Sequence, residues 1–206
     1  MSIKDRAVIT SLKVLPQKAM SHAAGVVAST PIPRPLRKTV IRAFGGFYGV
    51  AFDEVRDPIE SFRSVQSFFT RSLRDGARPI DEAPDAFVSP CDGAWGASGT
   101  IENGTALQVK GRSYSVQALL DDVDDAGTFG ARAFEGGAFA TLYLSPRDYH
   151  RFHAPCAGDV VAARHVPGAL WPVNTAGISH VDGLFAKNER IIAIVKPDDA
   201  DDSATL

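Results

Sequence analysis

The chain has 206 residues, 45% of them apolar and 22% charged, enough for one domain with an N-terminal extension, or for two small domains, around a sizeable core. No apolar run approaches the roughly 18 residues of a membrane-spanning helix, and the N-terminus lacks the unbroken apolar core and small-residue cleavage site of a secretory signal, so synthesis and retention in the cytoplasm are expected. The two cysteines, Cys91 and Cys156, stand in no CxxC spacing, which argues against a disulfide framework or a zinc ribbon and for reduced thiols.

The net charge of −2 conceals an asymmetry. Residues 1–50 carry eight Lys or Arg against the single acid Asp5, a net of +7; the rest carries 14 basic and 23 acidic residues, a net of −9. A basic arm ahead of an acidic body suits a polyanion, either nucleic acid or an anionic membrane surface. Spacing favours the membrane. After Pro31, Pro33 and Pro35, residues 35–45 place Leu36, Val40 and Phe44 four apart on one helical face, with Arg34, Lys38 and Arg42 largely on the other. That is a short basic amphipathic helix suited to a lipid interface, and Ile3–Leu15 repeats the pattern more loosely. Residues 1–56 are therefore expected to form a membrane-contact region, peripheral on the cytoplasmic face. The competing reading is that both helices cover the core and turn their lysines to water.

Asp57-Pro58-Ile59-Glu60 has the form of a helix start, with Asp57 as cap, and Phe62, Val65, Phe69 and Leu73 follow as an apolar stripe that Gly76 ends. Beyond Ile80 the sequence turns to short β-rich runs. Strands are predicted at Ala86–Ser89, Ala94–Ile101, Thr105–Lys110, Gly137–Leu144, Asp159–His165 and Arg190–Val195, with a helix near Ser115–Asp122 and a hairpin turn at Lys187-Asn188-Glu189. Ser89-Pro90-Cys91-Asp92-Gly93 and Ala154-Pro155-Cys156-Ala157-Gly158 share Pro-Cys-x-Gly, an echo that suggests two related hairpins. The predicted class is α+β: N-terminal helices, then a mostly antiparallel, barrel-like β body over residues 57–197 with a pseudo-repeated hairpin, then an acidic tail at 198–206.

Ser145-Pro146-Arg147-Asp148-Tyr149-His150-Arg151-Phe152-His153-Ala154-Pro155 concentrates two of the five histidines, two arginines and an aspartate between prolines. Ser145 to Asp148 has capping-box form, and the chain then extends to Pro155. In an extended segment residues three apart face opposite ways, so His150 and His153 are expected to hold separate jobs. An imidazole oriented by a carboxylate such as Asp92 is a general base for a hydroxyl. A metal site with His165, His180, Cys91 or Asp92, and a structural role for the histidines, are the two competing readings; HxxH alone is a weak metal signal.

The chain resembles the bacterial, membrane-associated phosphatidylserine decarboxylases. The resemblance rests on Phe62 to Arg71, on Leu73 to Ile80, on Ser89 to Gly93, on Lys110 to Ser115, on Tyr143 to Pro155 and on Leu184 to Arg190. It implies a self-processing enzyme that converts phosphatidylserine to phosphatidylethanolamine with release of CO2. In the family a serine of a Gly-Ser-Thr motif attacks the preceding carbonyl, assisted by an Asp-His pair, and ends as a pyruvoyl group on a small subunit. By position the pair corresponds to Asp92 and His153; His150 is the candidate proton donor in decarboxylation. No Gly-Ser dipeptide occurs in these 206 residues, and Ser203 follows Asp202. The expectations are that this chain alone forms no pyruvoyl group and that its sheet lacks strands. It is then a truncated or frameshifted product, one half of a split enzyme that works with a separate pyruvoyl-bearing chain, or a retired homologue that binds membrane or lipid.

Overall fold

The computed structural model describes residues 17–83, 86–107, 113–121, 130–173 and 175–198. The predicted helix at Ile3–Leu15 and the acidic tail beyond Asp198 lie outside them. Helix α1, Gln17–Ser29, was not foreseen; it ends where Ser29 Oγ and Thr30 Oγ1 donate to the Val26 carbonyl, just before Pro31. Helix α2, Arg34–Tyr48, carries Pro35 in its first turn and ends at Gly49, whose φ of 78° lets Gly49 and Val50 donate to the otherwise free carbonyls of Gly45 and Gly46.

The chain forms two compact units. One comprises residues 23–95 and 142–157. Its core is Ile41, Val50, Val55, Phe62 and Phe68, with Ile32, Phe44, Phe52 and Ile59 packed against it. Phe68 is fully buried and meets the rings of Phe62 and Phe44 edge-on at 5.2 and 6.3 Å and stacks on Phe52 at 5.9 Å. The Phe52 ring lies directly on Gly45, where a Cβ would collide with it.

The single helix predicted from Asp57 to Leu73 is broken. Ile59–Ser61 makes one 3-10 turn, Phe62 to Ser64 is extended, and helix α3 is only Val65–Phe69. Ser64 starts α3 with its own capping box, accepting from the Ser67 amide while Ser67 Oγ accepts from Ser64 N. The extended stretch receives Ile32 N–H at the Arg63 carbonyl. Asp57 caps nothing; it pairs with Arg56. Leu73 lies beyond the helix, bridged to Val55 in a short antiparallel ladder that Arg56 N to Ser72 O and Arg74 N to Glu54 O extend. The predicted stripe therefore mistook a 3-10 turn, a capped helix and a bridge for one period.

The other unit comprises residues 1–22, 96–141 and 158–206. It includes the antiparallel pair β2, Thr105–Leu107, with β3, Ser113–Ser115, followed by α4, Val116–Leu120, which Ser115 caps at the Ala118 amide. Ile101, Ala106 and Val116 form its core with Leu120, Phe134 and Phe139. Strand β1, Ala94–Thr100, pairs with β4, Ala138–Tyr143. Strand β5, Gly158–Val166, runs antiparallel to β6, Arg190–Pro197, with a register shift between Val160 and Ala162.

These are the strands expected at Ala94, Thr105, Gly137, Asp159 and Arg190, and the α+β class holds, but the described strands form three two-stranded sheets and no closed barrel. The echo segments do not open matching hairpins, because β1 pairs with β4 and β5 with β6. Ala86–Ser89 makes no strand; Pro90 and Pro155 remove donors, and Val88 N to Pro155 O is joined only by His153 N to Pro90 O across these segments among the described residues. Lys187 to Glu189 is no hairpin turn either. Two unforeseen helices, α5 at Thr175–His180 and α6 at Leu184–Lys187, fill the β5–β6 connection, and Lys187 closes α6. Arg190 locks this region by donating to the carbonyls of Ala118, Leu119, Ala186 and Asn188.

Candidate active site

All three predicted site residues lie in the unit of residues 23–95 and 142–157. Asp92 sits in a tight turn held by Ser89 Oγ, which donates to the Cys91 carbonyl at 2.7 Å. Gly93 follows because a Cβ there would come within 2.9 Å of Leu142 Cβ and 3.2 Å of Cys91 Sγ. The histidine segment begins with a turn in which Asp148 N donates to Ser145 O and the Asp148 carboxylate accepts from both Ser145 N and Ser145 Oγ, at 2.7 and 2.8 Å. It then runs extended beside the Asp92 turn, tied to it by His153 N to Pro90 O at 3.0 Å and Val88 N to Pro155 O at 2.8 Å. These two bonds hold the Pro90 and Pro155 segments against each other.

Asp92 and His153 line one cavity of about 570 Å3, with Cys91, Ser89 and Tyr149. Its walls also carry Arg56, Arg74, Arg78 and Arg151. Arg78 is the organising side chain. It donates from Nε and Nη2 to the Asp92 carboxylate at 2.6–2.9 Å, and from Nη1 and Nη2 to Glu54 at 3.2 and 3.0 Å. The Asp92 side chain is 18% exposed. Its hydrogen bond first, and that of Glu54 second, raise the Arg78 pKa above the ordinary arginine value. Among the described residues no hydrogen bond joins Asp92 to the exposed His153 ring. The arrangement offers an anchored carboxylate and a solvent-reaching imidazole in one cationic cavity, a combination that suits proton transfer at an anionic ligand.

His150 is elsewhere. Its ring packs on Phe69 with centroids 3.8 Å apart, and Nδ1 lies 3.0 Å from the Asp148 carbonyl, which requires a proton on Nδ1 and leaves Nε2 as the exchanging nitrogen. It is not among the residues lining the Asp92–His153 cavity. The two histidines stand in different surroundings, His150 against Phe69 and His153 on the cavity wall. His165 pairs with Glu189 at 2.8 Å in the other unit. Sequence reasoning assigned no role to Arg78, Glu54 or Arg71, although Arg71 and Arg78 stand inside quoted motifs; lone arginines at a loop show no periodicity, and their partners lie far along the chain.

Fold and cavity together define an α+β protein with a carboxylate and an imidazole gathered among arginines. The family described as phosphatidylserine decarboxylase matches residues 65–204. Similar proteins include the phosphatidylserine decarboxylase proenzymes of Anaeromyxobacter sp. (strain K), 43% identical over 194 residues, covering 94% of this chain and 67% of that protein, and of Myxococcus xanthus (strain DK1622), 38% identical over 190 residues, covering 92% and 66%. That of Acidovorax ebreus (strain TPSY) is 45% identical over 193 residues, covering 93% and 66%. This chain belongs to the phosphatidylserine decarboxylase family, and it spans about two thirds of the length of these curated relatives.

Proposed function

We propose that the chain is the catalytic framework of a phosphatidylserine decarboxylase, a carboxy-lyase of phospholipid biosynthesis that yields phosphatidylethanolamine and CO2. The observation that carries this reading is the meeting of Asp92 and His153 in one cavity of a chain with this family match. In self-processing, His153 takes the proton of the attacking serine hydroxyl and Asp92 favours the protonated imidazole that results. Arg78 holds Asp92 in place for that task. His150 delivers a proton to the substrate carbon through Nε2.

The pyruvoyl group fits this cavity. The general base sits on its wall, and the arginines offset the charge of an anionic headgroup. When bound, such a group supplies an electron-withdrawing carbonyl that accepts the electron pair left as CO2 departs. Its serine belongs to a Gly-Ser-Thr segment that the 206 residues do not contain, supplied by a longer product or by a separate chain. The strands accompanying that segment would pair with the edges of the described two-stranded sheets and complete the barrel-like body.

Residues 1–56 form the membrane-contact region, peripheral on the cytoplasmic face, with 57–197 as the framework and 198–206 as a tail. No helix among the described residues is long and apolar enough to cross a membrane. Support comes from α2, where Leu36, Val40 and Phe47 are exposed on one face while Arg34, Lys38 and Arg42 are exposed on the far side of the helix. The same stripe favours a second reading, a non-catalytic membrane or lipid-binding homologue. Co-expression with a Gly-Ser-Thr-bearing segment separates the two: self-cleavage and CO2 release from phosphatidylserine, both lost in His153→Ala, support the enzyme. A folded, membrane-bound and uncleaved complex supports the binding module.

A further inference from the structure

A second cavity, of about 390 Å3, opens in the unit of residues 23–95 and 142–157. Three arginines line it, Arg63, Arg71 and Arg151, against one acidic residue, Asp57, which is already paired with Arg56 at 3.1 Å. Arg151 and Ser72 line both this cavity and the one holding Asp92 and His153, so the two are neighbours across those residues.

Arg71 is only 4% exposed. Its Nη2 donates to the carbonyls of Arg147 and Asp148 at 2.7 and 3.1 Å, and its guanidinium carbon lies 5.2 Å from the Phe68 ring centroid. Nε and Nη1 are buried without a hydrogen-bond partner among the described residues. Those two nitrogens carry three of the five guanidinium N–H donors. A strut that only fastened the histidine segment would have its remaining donors satisfied, because an unpaired buried cationic donor is strongly unfavourable. Burial pushes the Arg71 pKa below the ordinary arginine value, against the opposing pull of Asp148, Asp92 and Glu54. Arg151 Nε donates to the Thr70 carbonyl at 2.9 Å, which fixes that guanidinium at the shared rim.

We infer that the Arg63–Arg71–Arg151 cavity binds the phosphodiester of a serine phospholipid headgroup. From that anchor the headgroup's amine and carboxylate reach the adjoining Asp92–His153 cavity. A phosphodiester suits the donor set, since guanidinium pairs with two non-bridging oxygens at once. The choice of headgroup rests on the decarboxylase reading; the anion site itself does not.

Titration of the 206-residue chain with glycerophosphoserine, inorganic phosphate and free serine tests this without any pyruvoyl group. The expected result is that glycerophosphoserine binds, that phosphate competes only weakly, and that serine does not compete. R63Q and R151Q, at exposed positions, are each expected to weaken binding about tenfold with unchanged circular dichroism. R71K is expected to weaken it at least as much. Should R71K unfold, the two exposed variants still decide. Unchanged affinity in R63Q and R151Q would overturn the site, and phosphate binding as tightly as glycerophosphoserine would show a free-phosphate site instead. Failure of self-cleavage in the co-expression experiment leaves this binding result standing, so the two readings fail independently.

Discussion

Arg78 binds two carboxylates and the Ala77 carbonyl at once, and this fork is what a lysine cannot reproduce. In a self-processing form of the protein, R78K and R78Q should slow cleavage on the order of ten- to a hundredfold by releasing Asp92, as followed by the appearance of the small subunit. The folded-state pKa of Arg78 is raised, so its stabilising contribution is complete below the ordinary arginine value and is lost only as pH rises through the higher folded one. The stability difference between wild type and R78Q should therefore be the same at about pH 7 and about pH 10 in chemical denaturation; a difference that shrinks over this range would mean that Arg78 does not hold the clamp. His153 was singled out because its segment clusters ionisable groups, and Asp92 through the Pro-Cys-x-Gly echo and the family resemblance. Arg78 was not, because its partners lie 14 and 24 residues away and only the fold brings them together.

At the scale of elements, helix α2 has two apolar faces. Ile41, Phe44 and Gly45 turn to the core, while Leu36, Val40 and Phe47 remain outside, Phe47 at 82% exposure. Periodicity revealed the helix but could not tell which face is covered, and it assigned Phe44 to the lipid side although Phe44 packs against Phe68. The two faces give opposite predictions. Phe47→Ser should reduce flotation with anionic vesicles severalfold and leave thermal stability within about 0.5 kcal/mol. Ile41→Ala should cost about 2–5 kcal/mol, because the side chain is fully buried. If both variants lose stability and neither loses flotation, the exposed stripe has no part in docking. Ser64→Ala removes a side-chain cap from α3 and should cost about 1 kcal/mol, as measured by denaturant midpoint. The predicted long helix failed at this point, because a local capping box overrode a plausible apolar spacing.

At the scale of the whole molecule, all the described sheets are two-stranded. A strand pair has two outer edges, and an isolated pair is marginal in water unless something covers it. The β5–β6 pair is the longest, and Val160, Val161 and Ile191 on it are exposed. Short β-rich runs set off by glycine and proline made these strands readable, but their pairing was not, because the order of strands depends on contacts that no local pattern encodes. Such edges pair readily with another chain, so the 206-residue chain should be larger than a monomer in light scattering behind a sizing column. Val160→Lys should shift it toward monomer by placing a charge on the exposed face of β5. A Gly-Ser-Thr-bearing segment that supplies further strands should do the same in the unsubstituted chain, and a hydrogen-exchange experiment would then show new protection in β5 and β6. A chain that is monomeric at every concentration, with β5 and β6 already protected, would mean that these edges are covered without any added strand.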